Sequence, residues 1–138
     1  MRQLIIARKD LNMSSGKLAA QCCHASMAFL SRNIKFCHGV PSIEIDEDIY
    51  DNWFNDSFTK TICAAKNLNH LLKVKQIAEE LGLIEDKDFF LIKDNCLTEL
   101  KPEEIDSNGI GHTLTCIGFK PLDDETAHKL SKKYQLYK

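Results

Sequence analysis

The sequence predicts an α/β layered fold, with helices on both faces of a small, largely parallel or mixed sheet. Three observations carry this. Short apolar strand candidates at Gln3 to Ala7, Thr61 to Ala65, Phe89 to Ile92 and Thr113 to Phe119 are interleaved with helical patterns and are not clustered. The 138 residues, 43% of them hydrophobic, suffice for one real core, and no repeat or low-complexity tract divides them. No apolar run approaches the ~20 residues of a membrane span, and the N-terminus has no signal-peptide core. A single domain over residues 1–138, in the cytoplasm and away from membranes, is the expectation.

The elements follow in order. The first strand ends in a polar turn, Arg8 to Asn12. Ser14 or Ser15 is a good N-cap, and the alanine-rich segment behind it predicts a helix from about Ser15 to Arg32. On that helix Lys17, Gln21 and His24 fall at i, i+4 and i+7 and share one stripe. Leu18, Ala19, Cys22, Cys23, Ala25, Phe29 and Leu30 fill the other faces; they are apolar and mostly small, so the helix is expected to be buried and closely packed. An irregular acidic stretch at about 39–59 contains Pro41 and the only tryptophan, Trp53, and reads by default as a solvated insertion. Leu68, Leu71, Leu72, Ile77, Ala78 and Leu81 make a helical stripe, stopped by Gly82 as a C-terminal cap. Pro102, Asn108 and two glycines mark a long loop at about 100–111. Asp123 opens a last helix that runs to about Lys132.

Composition excludes several chemistries. Six cysteines without a secretory cue, two of them adjacent at Cys22-Cys23, fit reduced thiols better than disulfides. A zinc site would draw on Cys22, Cys23, His24, Cys37, His38, Cys63, Cys96 or His112, but no C-x2-C pair exists, and no metal is expected. Gly16-Lys17 is not a phosphate loop, because Leu11 stands where the first glycine of G-x4-G-K belongs. The net charge of −2 hides an asymmetry. Six acids and no Lys or Arg lie between His38 and Lys60, and residues 100–108 add one Lys and three acids; without these two stretches the remainder carries +6. A basic body with acidic loops is compatible with a polyanionic ligand, although solvated lysines on helix faces are common.

In layered α/β folds ligands bind beyond the carboxyl ends of the strands. The first strand runs out toward Lys17, and the third into Asp94-Asn95-Cys96-Leu97-Thr98. Thr113 joins them only if the last strand is antiparallel. Alone, an Asp after a strand is a turn former, and His24 on a buried helix reads as a structural histidine hydrogen-bonded to its surroundings.

The block Arg8-Lys9-Asp10-Leu11-x-Met13-x-x-Gly16-Lys17-Leu18-Ala19-Ala20-Gln21-x-x-His24-Ala25 resembles the start of type-2 peptidyl-tRNA hydrolases. Asp94 with Thr98 is similar to that family's D-x-G-x-T-Q segment, Thr113-x-x-x-Ile117-Gly118 to its next strand, and Leu130 to Tyr137 to its closing L-x-G-x-L-x-L. Trp53 before the second strand is a weaker match. The resemblance covers nearly the whole chain in order. It implies a three-layer domain on a mostly four-stranded mixed sheet, usually a homodimer. It also implies hydrolysis of the ester joining a peptide to the 3′-terminal ribose of tRNA, which recycles tRNA, with no cofactor. The family's functional lysine, aspartate and two threonines fall on Lys17, Asp94, Thr98 and Thr113. Substrate contacts are expected from Gln21, His24, Arg8, Lys9 and His112.

Ester hydrolysis needs a positioned water, a base and a group that stabilises the oxyanion. Asp94 is the candidate base. Lys17 would hold a phosphate or the developing negative charge, and Thr98 and Thr113 would orient water or ester. The sequence leaves the division of labour open. It also departs from the family around the site: Cys96 replaces the glycine, Glu99 the glutamine, Gly109-Ile110 the usual Pro-Gly and Lys133 the final glycine. These departures keep open another acylated substrate, such as aminoacyl-tRNA or a small acyl ester, or a non-catalytic binding module.

Overall fold

The computed structural model describes residues 1–138. Strand β1 (Gln3–Arg8) is buried on both faces and forms the centre of the sheet. It pairs in parallel with β4 (Lys60–Ala65) and antiparallel with β7 (Gly111–Phe119), and β7 pairs antiparallel with β5 (Phe89–Asp94). Two further strands have two residues each: β8 (Gln135–Leu136) extends the sheet beyond β4, and β6 (Glu104–Ile105) pairs with the start of β7. The main order is β5-β7-β1-β4-β8. The four long strands are the mixed sheet that was expected; the other two lift the total to six. A two-residue strand has no period to read, and the 100–111 segment looked like loop because its pairing comes from β7.

Helix α1 (Ser15–Ser31) covers one face, and α3 (Leu68–Glu80) with α4 (Asp124–Ser131) covers the other, giving three layers. Strand alternation divides the core accordingly. Leu4, Ile6, Leu71, Val74, Phe89, Leu114 and Phe119 meet on the α3–α4 side. Ile5, Ala7, Cys22, Ala25, Phe29, Phe90 and Cys116 meet under α1. The close packing expected from small residues is realised at Gly118 of β7, where an added Cβ would lie 2.4 Å from the Ala25 carbonyl oxygen. The expectation of a helix buried on all its non-stripe faces fails, however. Ala19, Ala20, Cys23 and Met27 are exposed, because the sheet covers only one side of α1.

The acidic stretch is more ordered than a solvated insertion. Strands β2 (Lys35–Cys37) and β3 (Val40–Ser42) form a hairpin closed by His38 and Gly39, both with positive φ (50° and 76°), as a type I′ turn demands. A short helix, α2 (Glu47–Ile49), continues as a π-helical turn, Tyr50–Phe54. Trp53 is 1% exposed, packs edge-on against Phe29, and donates its indole N–H to the Thr59 carbonyl at 2.8 Å. The surrounding acids concealed an anchoring aromatic. No helix is long and apolar enough to cross a membrane.

Candidate active site

Because β5 and β7 run antiparallel, the end of β5 and the beginning of β7 lie together, and their register pairs Asp94 with Thr113. The condition placed on Thr113 is therefore met. Lys17 occupies the first turn of α1, fixed by the Ser14 hydroxyl, which accepts from the Lys17 N–H at 3.2 Å. From there its Nζ reaches Asp94 Oδ1 at 2.7 Å and Thr98 Oγ1 at 3.1 Å. Both side chains of the ion pair are largely shielded, 13% and 11% exposed, so the pair is screened less than a surface pair. Gln21, one turn after Lys17, donates to Asp94 Oδ1 at 3.3 Å and accepts from the buried Thr115 hydroxyl at 2.6 Å. Asp94 Oδ2 accepts the Cys96 backbone N–H at 2.9 Å.

That last bond folds the chain back on itself, and Cys96 sits at φ 59°. It is the position where the family resemblance places glycine. A side chain in this region costs about 1–2 kcal/mol, so this chain stores local strain two residues from the carboxylate. The thiol sits between two oxygens, 3.4 Å from the Asp94 carbonyl and 3.4 Å from Thr113 Oγ1.

The sequence-derived residues thus divide. Lys17, Asp94, Thr98 and Gln21 converge. Thr113 stands beside Asp94, but its hydroxyl is fully buried; it donates to the Lys101 carbonyl at 2.6 Å and accepts from the Glu103 N–H at 3.2 Å. It holds the 101–103 loop. Arg8 is 3% exposed, and its donors are committed to Asp10, to Glu103 and to the Leu114 carbonyl. Burial alone would lower its pKa, but the hydrogen bonds and charges of Asp10 and Glu103 hold it above the ordinary value. It is a clamp with no donor left for a phosphate. Lys9 is exposed, with its Nζ 5.8 Å from the Tyr137 ring centre. His24 is exposed on α1, so the expectation of a structural, hydrogen-bonded histidine does not hold. His112 alternates with Leu114 onto the opposite face from Thr113, where its Nε2 meets Asp106 Oδ2 at 2.7 Å and its Nδ1 is buried without a partner. Glu99 does not confront a phosphate site as a free charge. Its carboxylate accepts the Ser14 hydroxyl at 2.5 Å and the Ser14 N–H at 2.9 Å, closing the N-terminus of α1.

Two contributors were missed. Thr115 is two residues from Thr113 on the same strand, at the register shift between Ile92 and Lys93, and its hydroxyl donates to Gln21. Strand alternation from Thr113 would have found it. Glu103, the clamp on Arg8, had no local signal. A cavity of about 310 Å³, lined by Phe29, Asn33, Lys35, Ile45 and Lys120, sits at the far end of α1 from Lys17. All six cysteines are free, and no three His, Cys, Asp or Glu residues converge as a metal site would require.

A mixed-sheet α/β domain thus gathers a carboxylate, an ammonium and a threonine hydroxyl at the strand ends, the groups with which a hydrolase can hold and deprotonate a water. The profile of the peptidyl-tRNA hydrolase PTH2 family matches residues 1–137. Curated relatives named peptidyl-tRNA hydrolase include those of Methanopyrus kandleri, 32% identical over 94% of this chain and 92% of its own, and Methanothermobacter thermautotrophicus, 30% identical over 99% of both. That of Thermoplasma acidophilum is 27% identical over 98% of this chain and 97% of its own. The chain belongs to the peptidyl-tRNA hydrolase PTH2 family.

Proposed function

We propose that this chain is an enzyme that hydrolyses the ester between peptide and tRNA in peptidyl-tRNA, with Lys17, Asp94 and Thr98 as its reacting groups. The observation that carries the site is the Lys17 ammonium held at 2.7 Å from Asp94 and 3.1 Å from Thr98, in a chain of this family. The reaction itself rests on the names of its relatives.

The hydrogen-bonding positions left free around these side chains support a role for each. A carboxylate has about four acceptor positions. Lys17 and Gln21 take two on Oδ1 and the Cys96 N–H takes one on Oδ2, which leaves one on Oδ2 for a water proton. Lys17 has three N–H donors; two serve Asp94 and Thr98, and the third is free for the ester carbonyl as negative charge develops or for the terminal phosphate. The Thr98 oxygen accepts from Lys17, so its own O–H is free to orient water or the ribose. Asp94 draws a proton from water, the hydroxide equivalent attacks the ester carbonyl, and the proton now on Asp94 passes to the departing tRNA 3′-oxygen, which restores the carboxylate. Gln21 and Thr113 act by positioning: one aims the carboxylate, the other ties the 101–103 loop beside it.

The enzyme acts in the cytoplasm as a homodimer. Free thiols at all six cysteines fit a reducing compartment, and Ala20, Cys23 and Met27 form an exposed small and apolar stripe on α1 that a second copy would cover. One assay with peptidyl-tRNA, aminoacyl-tRNA and uncharged tRNA tests the reaction. Release of peptide with no comparable loss of amino acid from aminoacyl-tRNA supports it; equal turnover of both charged forms, or binding without turnover, overturns it. Light scattering tests the dimer, with Met27→Glu expected to yield a monomer.

A further inference from the structure

Beyond the carboxyl ends of β1 and β4 lies a run of lysines without counter-charges. Lys9 follows β1 and Lys66 follows β4, and the Lys9 N–H donates to the Ala65 carbonyl at 2.8 Å, so the two lysines leave neighbouring strands side by side. The Lys66 N–H donates to His70 Nδ1 at 3.0 Å, which ties the strand end to the first turn of α3. The His70 ring in turn stacks on Tyr134, centroids 4.3 Å apart and planes within 10°, and the Tyr134 hydroxyl donates to the His70 carbonyl at 2.6 Å. That stack brings Lys132 and Lys133, which immediately precede Tyr134, to the same edge. Lys73, one helical turn past His70, completes it.

All five lysines are exposed, and none lies within ion-pair distance of a carboxylate. Of the ten other lysines, Lys17, Lys75, Lys93, Lys120 and Lys129 have acidic partners, and the remaining five are not gathered at one edge beside the site. Asp10, next to Lys9 in the chain, is already held by Arg8 at 2.8 Å. His70 registers the local field, since burial and then the charges of Lys66 and Lys73 keep its pKa below the ordinary value. On the other flank, residues 99–106 carry Glu99, Glu103, Glu104 and Asp106 against the single Lys101, and the acids there are engaged by Ser14, Arg8, Lys93 and His112, so that flank offers a phosphate no free cation beyond Lys101. The catalytic notch sits between a basic rim and an acidic loop.

We propose that the acceptor-stem phosphate backbone leaves the notch over Lys9, Lys66, Lys73, Lys132 and Lys133, on the β4–α3–β8 side, and not over the 99–111 loop. This rests on the reading of the chain as a peptidyl-tRNA hydrolase and adds the direction in which the RNA lies. Lysines act on phosphate as point charges without reading bases, and each released counterion contributes to the salt dependence of binding.

The test compares wild type, Lys66→Gln/Lys133→Gln, and a control at the far end of α1, Lys35→Gln/Lys87→Gln. Each is assayed on full peptidyl-tRNA and on the peptidyl ester of the 3′-terminal trinucleotide, and binding of uncharged tRNA is measured in parallel. The rim variant is expected to raise KM for full substrate about tenfold at low salt. It should reduce the log–log salt slope by about 2, near 0.9 per lost phosphate contact, with kcat within twofold and the trinucleotide ester unaffected. The control should match wild type. An unchanged salt slope in the rim variant, or an equal defect on the trinucleotide ester, overturns the proposal. If wild type cleaves neither ester, the enzymatic reading fails separately; tRNA binding still decides the track, which falls if the rim variant binds as wild type does.

Discussion

Replacing Asp94 by Asn changes one oxygen for an NH2 group at nearly constant shape, and its consequences follow from the donors around the carboxylate. Three donors converge on it: Lys17 Nζ and Gln21 Nε2 on Oδ1, and the Cys96 N–H on Oδ2. An amide offers one oxygen. Its better orientation turns that oxygen to Lys17 and Gln21 and sets NH2 against the Cys96 N–H, which loses its acceptor. Leaving such a group unpaired costs about 1–3 kcal/mol. The turn at Cys96, already at φ 59°, then has less to hold it. The chemical loss is larger. Asp94 is the base in this mechanism, and removing a positioned general base lowers the rate by about 10²–10⁴-fold, or about 3–5 kcal/mol of barrier. Single-turnover hydrolysis of peptidyl-tRNA reads the rate, and thermal unfolding by circular dichroism reads the fold. The expectation is a folded protein, its Tm lowered by several degrees, with kcat down at least a hundredfold. Turnover within threefold of wild type in a folded Asp94→Asn variant would refute Asp94 as the base.

Gln21→Leu should lower kcat about tenfold with little change in KM, since Gln21 aims the carboxylate without reaching substrate; a rise in KM alone would contradict that role. Gly118→Ala places a Cβ 2.4 Å from the Ala25 carbonyl oxygen and should destabilise by about 1–3 kcal/mol or more, which an unchanged urea midpoint would disprove. The Glu99 carboxyl is held below its ordinary pKa of 4.5 by the Ser14 hydroxyl and then the Ser14 N–H. Its contribution to stability is therefore complete above that ordinary value and is lost as pH falls through the lower folded-state value. Urea midpoints between pH 6 and pH 3 should fall less steeply in Glu99→Gln than in wild type, and parallel curves would remove Glu99 as an acid-sensitive cap.

Much of the fold was legible because its signals are local. The N-cap falls on Ser14, one of the two adjacent serines the sequence offers, and the glycine stop at Gly82 (φ 84°) and the cap at Asp123 lie where the sequence placed them. Strand β1 reads as apolar because both its faces are covered. The acidic stretch is largely exposed, as its charge count implies, and a single side chain, Trp53, anchors it to the core. The motif singled out Lys17, Asp94 and Thr98, and the fold brings these three side chains into contact. The assignment of Arg8 and His112 to substrate was not upheld by their surroundings, since each is engaged by an acid from the 103–106 segment.

The sequence by itself determined the layers and the residue types at the site, because capping, alternation and helical period depend on near neighbours along the chain. Only the tertiary structure decided which polar groups remain free to act. Gln21 meets Thr115 across 94 residues and Arg8 meets Glu103 across 95. Whether a donor is free or already committed depends on such distant partners, and the antiparallel course of β7 is what brings them within reach.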